Sequence, residues 1–340
     1  MPDNATSRVS TLQRPASAAP LFNAPTHPAF VQSHHEDQAA VRAELIKGLL
    51  APAAYTSPKY LYDALGSRLF EAITELTEYY PTRTEAAIFQ AHAAEMAALA
   101  PQRATLVDLG AGNCRKAARL FPAFKPRRYV AVDISVDFLR EAMTALQAQF
   151  PALEMLGLGM DFSSTLTLPP EAGGGKRILF YPGSSIGNFT PDEALAFLKQ
   201  ALAACSGGGL LIGVDLVKPR EILEPAYDDA LGVTAAFNRN LLPHLNQLVG
   251  SNFALADWRH VALFNAQASR IEMHLEALKA IDVSWPGGER HFAAGERIHT
   301  ENSYKWDPAE FAALLKNAGF THTTTWTDVR GWFGVFWAQA

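Results

Sequence analysis

Short apolar runs that end in glycine or an acid alternate with amphipathic stretches through the middle of the chain. Ala104-Thr105-Leu106-Val107-Asp108-Leu109-Gly110 has the pattern of a strand buried on both faces that runs into a tight turn. Beyond it, Ala117, Leu120 and Phe121 recur at helical spacing over 113–121, before Pro122, which is expected to stop the helix. Tyr129-Val130-Ala131-Val132-Asp133 reads as a second strand closed by an acid. Phe138, Leu139, Ala142, Leu146 and Phe150 then trace one face of a helix that ends at Pro151. The alternation continues with a strand over 177–181, a helix over 194–202 and a strand over 210–216 behind the turn Ser206-Gly207-Gly208-Gly209. Repeated βα units predict an α/β fold with a parallel sheet whose ligands bind beyond the carboxyl ends of the strands.

After Leu216 the pattern changes. Residues 217–260 read as mostly helical and 260–285 contain strand-like runs such as Val261-Ala262-Leu263-Phe264, so 217–300 is taken as a substrate module. A helix over 307–318 and a pair of strands over 323–340, rich in Thr, Trp and Phe, close the chain. The first 35 residues are rich in Ala, Ser, Pro and Thr, with too few large apolar groups to offset the entropy of ordering them, and predict a flexible tail. The expected division is therefore a tail over 1–35, a helical part of the substrate domain over 36–84, a core over 85–216, the substrate module over 217–300 and a return to the core over 301–340.

Composition narrows the classes. With 340 residues, 49% of them hydrophobic, the chain can fill one large core or two modest ones, which excludes a disordered or fibrous protein. A formal net charge of −5 lacks the basic excess that nucleic-acid binding needs. Cys114 and Cys205 are the only cysteines, too few for a disulfide scaffold or a cysteine-ligated metal cluster, and suit a reducing compartment. No apolar run reaches the roughly 18 residues of a membrane span and no secretory leader is evident, so a soluble cytoplasmic protein is expected, for which a monomer is plausible. The sequon Asn4-Ala5-Thr6 lies in the predicted tail and is set aside. His34 and His35 beside Glu36 and Asp37 match no zinc spacing, the other histidines are scattered, and no metal is expected.

Candidate chemistry begins at Asp108-Leu109-Gly110-Ala111-Gly112, where a strand becomes a helix and glycines let the backbone turn sharply against a ligand. Asp133 ends the next strand about twenty residues on, where a carboxylate accepts from both hydroxyls of a ribose. The pair points to an adenosine cofactor. A dinucleotide fingerprint needs a third glycine where this chain has Arg115, which disfavours NAD. The turn resembles motif I of class I S-adenosylmethionine methyltransferases, and Asp161-Phe162 resembles the acidic pair that frames their adenine.

Longer stretches are similar to the histidine Nα-methyltransferases of ergothioneine biosynthesis. They are Ser57 to Asp63, Gly66 to Phe70, Glu78-Tyr79-Tyr80-Pro81-Thr82-Arg83-Thr84-Glu85, Gly183-Ser184-Ser185-Ile186-Gly187-Asn188-Phe189-Thr190-Pro191, Ala226 to Asp229, Gly232 to Asn240, Arg270-Ile271-Glu272-Met273 and Thr300-Glu301-Asn302-Ser303. The resemblance covers roughly 40–340 and implies a Rossmann-like class I methyltransferase core with a mostly helical, α+β substrate domain. It also implies trimethylation of the α-amino group of L-histidine by S-adenosyl-L-methionine to give hercynine. Methyl transfer from a sulfonium to an amine is an in-line displacement, so alignment matters more than strong acids or bases.

By the resemblance, Tyr62 and Tyr79 assist at the amine. Asn188 and Tyr227 hold the amino-acid head, where Gly183 brings its backbone close. Glu301 and Ser303, alternating on an extended segment, face the same way and satisfy the two ring nitrogens, with Met273 as an apolar wall. Lys116 lies near the cofactor's carboxylate, and Asp108, Gly110, Gly112, Asp133, Asp161 and Phe162 complete the cofactor set. Tyr304-Lys305-Trp306 after the ring-binding pair departs from the family pattern, as do Ala111 and Cys114-Arg115 in the turn. Competing readings are another amino acid or biogenic amine as acceptor, a non-catalytic sensor of the same ligands, and an NAD oxidoreductase.

Overall fold

The computed structural model describes residues 27–32, 37–134 and 136–340. Its strands are β1 (Ala29–Gln32), β2 (Ala54–Tyr55), β3 (Thr105–Leu109), β4 (Arg128–Asp133), β5 (Glu154–Gly159), β6 (Arg177–Tyr181), β7 (Gly209–Asp215), β8 (Trp258–Asn265), β9 (Arg270–Ala277), β10 (Ile281–Trp285), β11 (Gly288–Phe292), β12 (Arg297–Tyr304), β13 (His322–Thr327) and β14 (Phe333–Gln339). Eight of them form one sheet in the order β1-β5-β4-β3-β6-β7-β14-β13. The first six run parallel, while β14 is antiparallel to both β7 and β13. This is the Rossmann-like α/β core expected from the sequence.

Helices cover both faces of the sheet, which is why every residue of β3 and β7 is buried and their sequences do not alternate. One face packs Val107, Leu179, Leu210 and Ile212 against Phe197 and Leu198 of the helix Pro191–Ala204 and against Phe311 and Leu315 of the helix Pro308–Ala318. The other packs Leu106, Tyr129, Ile178 and Leu211 against Ile88, Phe89 and Met96 of the helix Tyr80–Leu99 and against Leu139 and Met143 of the helix Val136–Gln149.

A second layer is built on the four-stranded sheet β2-β12-β9-β8, with the hairpin β10-β11 beside it. Its core joins Leu45 and Leu49 of the helix Gln38–Leu49 to Phe237, Leu241 and Leu245 of the helices Val233–Arg239 and Leu241–Val249, and to Met273, Leu275 and Ile298 of the sheet. The N-terminal helical segment and the region after β7 thus share one hydrophobic core.

The structure differs from the sequence reading in four places. Within the segment expected to be a tail, Ala29–Gln32 is an edge strand parallel to β5, and the Phe30 ring lies only 2.5 Å from where a Cβ of Gly157 would sit. A glycine in β5 creates the space that anchors this strand; residues 1–26 and 33–36 lie outside the described residues. The helix expected over 113–121 forms as two short segments, Arg115–Ala118 and Phe121–Phe124, with Pro122 inside the first turn of the second, where its missing N–H has no helical partner to lose. The expected boundary at 84/85 cuts the continuous helix Tyr80–Leu99, and the one at 300/301 cuts β12, whose antiparallel pairing with β9 keeps it in the second layer. Among the described residues, no helix is long and apolar enough to cross a membrane.

Candidate active site

The strand order reverses between β3 and β6, which opens a crevice at their carboxyl ends. Gly110 and Gly112 take positive φ of 70° and 51° there. The backbone amides of Gly110 and Ala111 donate to the Val132 carbonyl, and Gly112 N donates to Asp133 Oδ2 at 2.9 Å, so the acid ending β4 is joined directly to the glycine turn. The Phe162 ring lies 3.8 Å from where a Cβ of Gly110 would sit and meets Tyr181 edge-on. Asp161 accepts from Ser163 N at 3.0 Å and pairs with Lys59 at 3.6 Å.

Glu85 connects the two sides of the crevice, and sequence reasoning did not single it out. Its Oε2 accepts from Lys116 Nζ at 2.7 Å and its Oε1 from Gly183 N at 2.7 Å. A side chain at Gly183 would not fit, because φ is +78° and a Cβ would sit 2.9 Å from Lys116 Nζ. The signal that could have found Glu85 is its register: it lies on the buried stripe of its helix with Pro81, Ile88 and Phe89, an acid where an apolar residue belongs.

Asp108 lies one residue before the end of β3, next to the turn. It is buried and accepts from Tyr129 Oη at 2.8 Å. Burial pushes its carboxyl up to about 7, against the pull of the Tyr129 hydrogen bond and Lys116. An acid with a raised folded pKa is most compatible with folding while protonated, and its contribution worsens as pH rises from about 4 through about 7. Asp108→Asn removes the charge without removing an acceptor. It is expected to raise Tm by roughly 2–4 °C at pH 8 and to leave it unchanged near pH 4; an equal gain at both values in thermal melts would contradict this origin.

The remaining site residues meet in one cavity. Tyr62, Tyr79, Gly183, Asn188, Tyr227, Met273, Glu301 and Ser303 all line it, together with Phe70 and Phe237. Glu301 and Ser303 share the inner face of β12, and Glu301 is paired across to Met273 on β9. Asn188 ends the short turn Ser185–Asn188 after β6 and is not needed as a cap, because Thr190 and Glu193 form a capping box for the following helix. Asn188 reaches Glu301 Oε1 at 3.2 Å and the Asn302 carbonyl at 3.0 Å, and with its amide assigned so that the nitrogen rather than the oxygen faces these two acceptors it donates to both. Tyr227 Oη lies 2.7 Å from Ser303 Oγ. The division expected from the sequence, with Asn188 and Tyr227 at one end and Glu301 and Ser303 at the other, is thus crossed by two direct contacts.

Electrostatics follow from enclosure. Burial pushes Glu301 up to about 7, with Lys305 pulling the other way. Burial also raises Tyr62, Tyr79 and Tyr227 well above the ordinary phenol value, with Glu301 adding to each shift, so all three are neutral hydroxyls at physiological pH. Behind Ser303 sits a buried ionic cluster absent from the sequence reading: Lys305 Nζ reaches Asp215 Oδ2 at 2.8 Å, and Lys218 Nζ reaches Asp215 Oδ1 at 2.6 Å. Burial works to raise Asp215, but the two ammonium groups overcome it and hold the carboxyl below the usual range. The alternation Glu301, Ser303, Lys305, which runs one residue past the end of β12, was the available signal.

The histidines that the sequence scatters are not all apart. His274 and His299 are paired across β9 and β12, and with Glu272 they offer ligand-type atoms within 4.8 Å of one another. Glu272 Oε1, however, already accepts from Asn265 at 2.9 Å and pairs with Arg270 at 2.7 Å, so its charge is matched by the Arg270 guanidinium.

Comparison with known proteins agrees with this geometry. A family model described as histidine-specific methyltransferase, SAM-dependent, matches residues 41–340. The chain is 42% identical over 303 residues to a histidine N-alpha-methyltransferase of Mycolicibacterium smegmatis, which spans 87% of this chain and 94% of the relative. It is 40% identical over 309 residues to the histidine N-alpha-methyltransferase of Mycobacterium tuberculosis, with the same shares of 87% and 94%. Ergothioneine biosynthesis protein 1 of Neurospora crassa is 33% identical over 281 residues, which are 78% of this chain and 31% of that longer protein. With a core sheet, a glycine turn and a cavity arranged in this way, and with the family match running from residue 41 to the end, the chain belongs to the histidine-specific, S-adenosylmethionine-dependent methyltransferases.

Proposed function

We propose that this enzyme trimethylates the α-amino group of L-histidine to give hercynine, as a step of ergothioneine biosynthesis. The observation that carries the reading is the single cavity in which Asn188, Tyr227, Glu301 and Ser303 converge beside the crevice at Gly183. One free amino acid with an imidazole side chain offers a partner to each of those groups.

The crevice fits S-adenosylmethionine. No atom lies within 4 Å of where a Cβ of Gly112 would sit, which leaves room against the turn. Gly110 and Gly112 admit the ligand, Asp133 takes the ribose hydroxyls, Asp161 and Phe162 flank the adenine, and Lys116 faces the carboxylate. Asp108 acts through the turn it adjoins. The bound cofactor supplies an electrophilic methyl carbon on a sulfonium.

The protein's part is alignment and desolvation. Asn188 and Tyr227 orient the amino-acid head, Glu301 and Ser303 fix the ring, and Met273 and Phe237 exclude water. Tyr62 and Tyr79 keep their protons, so they steer the amine lone pair by hydrogen bonding rather than act as phenolate bases. Enclosure disfavours the ammonium form, so the amine gives its proton to bulk water before it is enclosed and the nitrogen stays nucleophilic.

Incubating the protein with S-adenosylmethionine and α-15N-labelled L-histidine should yield a product with three added methyl groups on the labelled nitrogen. Another amino acid or biogenic amine with a higher kcat/KM would replace histidine as the acceptor. A separate titration checks the cofactor end. Asp133→Ala loses charge-assisted hydrogen bonds and is expected to weaken cofactor binding about 10- to 100-fold while histidine affinity changes little. Equal weakening of both ligands would contradict that division.

A further inference from the structure

We propose that Lys305 makes the ring-binding end of the cavity a hydrogen-bond donor, so that the enzyme accepts the uncharged imidazole of histidine and rejects the imidazolium. The inference rests on the reading that Glu301 and Ser303 receive the ring.

The geometry of one buried ammonium carries it. Lys305 Nζ reaches three oxygens: Ser303 Oγ at 2.7 Å, Tyr227 Oη at 2.9 Å and Asp215 Oδ2 at 2.8 Å. Its side chain is 0% exposed, so water takes none of its protons. An ammonium has three N–H groups and no lone pair, so all three are used and both hydroxyl oxygens are acceptors towards it. The two hydroxyls are also 2.7 Å from each other, so one of them donates to the other. With Tyr227 donating to Ser303, the proton left over is that of Ser303 at the ring end, and the cavity that Ser303 lines is where it can go. A ligand atom placed there must bring a lone pair.

At the other side of the ring position, Glu301 is an acceptor when ionised. A neutral imidazole has one N–H and one bare nitrogen and matches this pair of ends; an imidazolium has two N–H groups and does not. The fixed positive charge of Lys305 also repels a charged ring in a site without water to screen it.

The groups around the ring position are Glu301 and the neutral Tyr62, Tyr79 and Tyr227. Behind them stand Lys305, Asp215, Lys218 and Tyr80. Glu85 lies towards the crevice, and Asp328 acts on Lys218 from outside the cluster. Of these, Lys305 alone touches both hydroxyls as an obligate donor.

Lys305→Met keeps an unbranched stem as far as Cε and removes only the ammonium. It leaves Asp215 paired with Lys218 at 2.6 Å and with Tyr80 Oη at 2.6 Å, so no orphaned charge is created. The test compares KM for L-histidine with KM for β-(1,2,4-triazol-3-yl)-L-alanine, whose ring keeps an N–H and a lone pair yet stays uncharged at mildly acidic pH. In the wild type, the ratio of the two KM values is expected to grow about tenfold between about pH 7.5 and about pH 5.5, following the fraction of neutral imidazole. In Lys305→Met that growth should shrink to less than about twofold. Titration of Glu301 affects both substrates and cancels in the ratio.

If Lys305→Met raises both KM values but keeps the tenfold growth, the lysine is merely structural and the proposal is overturned while the function stands. If the wild type methylates neither compound, the reading of the function fails and the proposal falls with it. Ring-15N-labelled histidine bound to the wild-type protein at pH 6 gives a check that does not depend on the variant folding. Nitrogen shifts of a single neutral tautomer are expected, and imidazolium shifts would overturn the inference.

Discussion

Glu301→Ala is expected to lower kcat/KM for L-histidine by about 100-fold, mostly through KM, while Kd for S-adenosylmethionine changes less than about twofold. A hydrogen bond to a charged acceptor contributes roughly 1.5–3 kcal/mol, and at about 1.4 kcal/mol per tenfold this gives a loss of one to two orders of magnitude. The ring N–H left in the cavity then faces Met273 and the cavity's aromatic residues rather than an acceptor, which puts the effect at the upper end. Glu301→Gln separates geometry from charge. Glu301 is held at about 7 in the folded protein, so it is mostly protonated below that pH and ionised above it. Its service as an acceptor is therefore gained as pH rises through about 7, and kcat/KM should rise in the same window. Glutamine does not titrate, so with the triazolyl analogue as substrate, whose ring stays uncharged across this window, the variant should lose that limb of the profile along with part of the affinity. Cofactor binding that collapses in step with histidine binding would show that Glu301 supports the fold rather than the ring.

Glu85→Ala is expected to damage both ligand sites and the fold together. The carboxylate is 1% exposed and holds Lys116 on one oxygen and Gly183 N on the other. Removing it leaves a lysine without its partner and a backbone donor without an acceptor. Losing one partner of a buried ion pair costs about 3–5 kcal/mol, discounted here because the Lys116 side chain is 35% exposed and can turn to water. A loss of roughly 3 kcal/mol corresponds to a Tm lower by roughly 6–12 °C. Because Glu85 joins the glycine-turn side to the β6 side, the affinities for cofactor and histidine should fall together, unlike those of Asp133→Ala or Glu301→Ala. Glu85→Gln keeps an acceptor for Gly183 N but not the charge opposite Lys116, and should recover most of the Tm while cofactor affinity stays low. A Glu85→Ala protein that melts within about 2 °C of the wild type would refute the bridging role.

The chain order of elements was legible in the sequence because it depends on local properties. β3, β4, β6 and β7 carry mostly apolar residues that do not alternate with polar ones, since helices cover both sheet faces, and glycine or an acid marks where each meets the crevice. The glycine turn, Asp133 at the end of β4 and the alternation of Glu301 with Ser303 are all fixed by spacing within a few residues. Spacing did not reveal β1, because four residues became a strand only when β5 offered them an edge and Gly157 made room for Phe30.

The sequence by itself determined the α/β alternation and the adenosine-type turn, and its resemblance to a known family named eight of the residues that line the cavity but not Phe70 or Phe237. The tertiary structure alone decided which charges support them. Glu85 is 98 residues from Gly183, and Lys305 is 78 residues from Tyr227, so no periodicity relates the partners. The physical reason is that periodicity reports which face of an element is buried, whereas a buried charge is tolerated only where distant elements bring it a partner, and that meeting exists only in the folded chain.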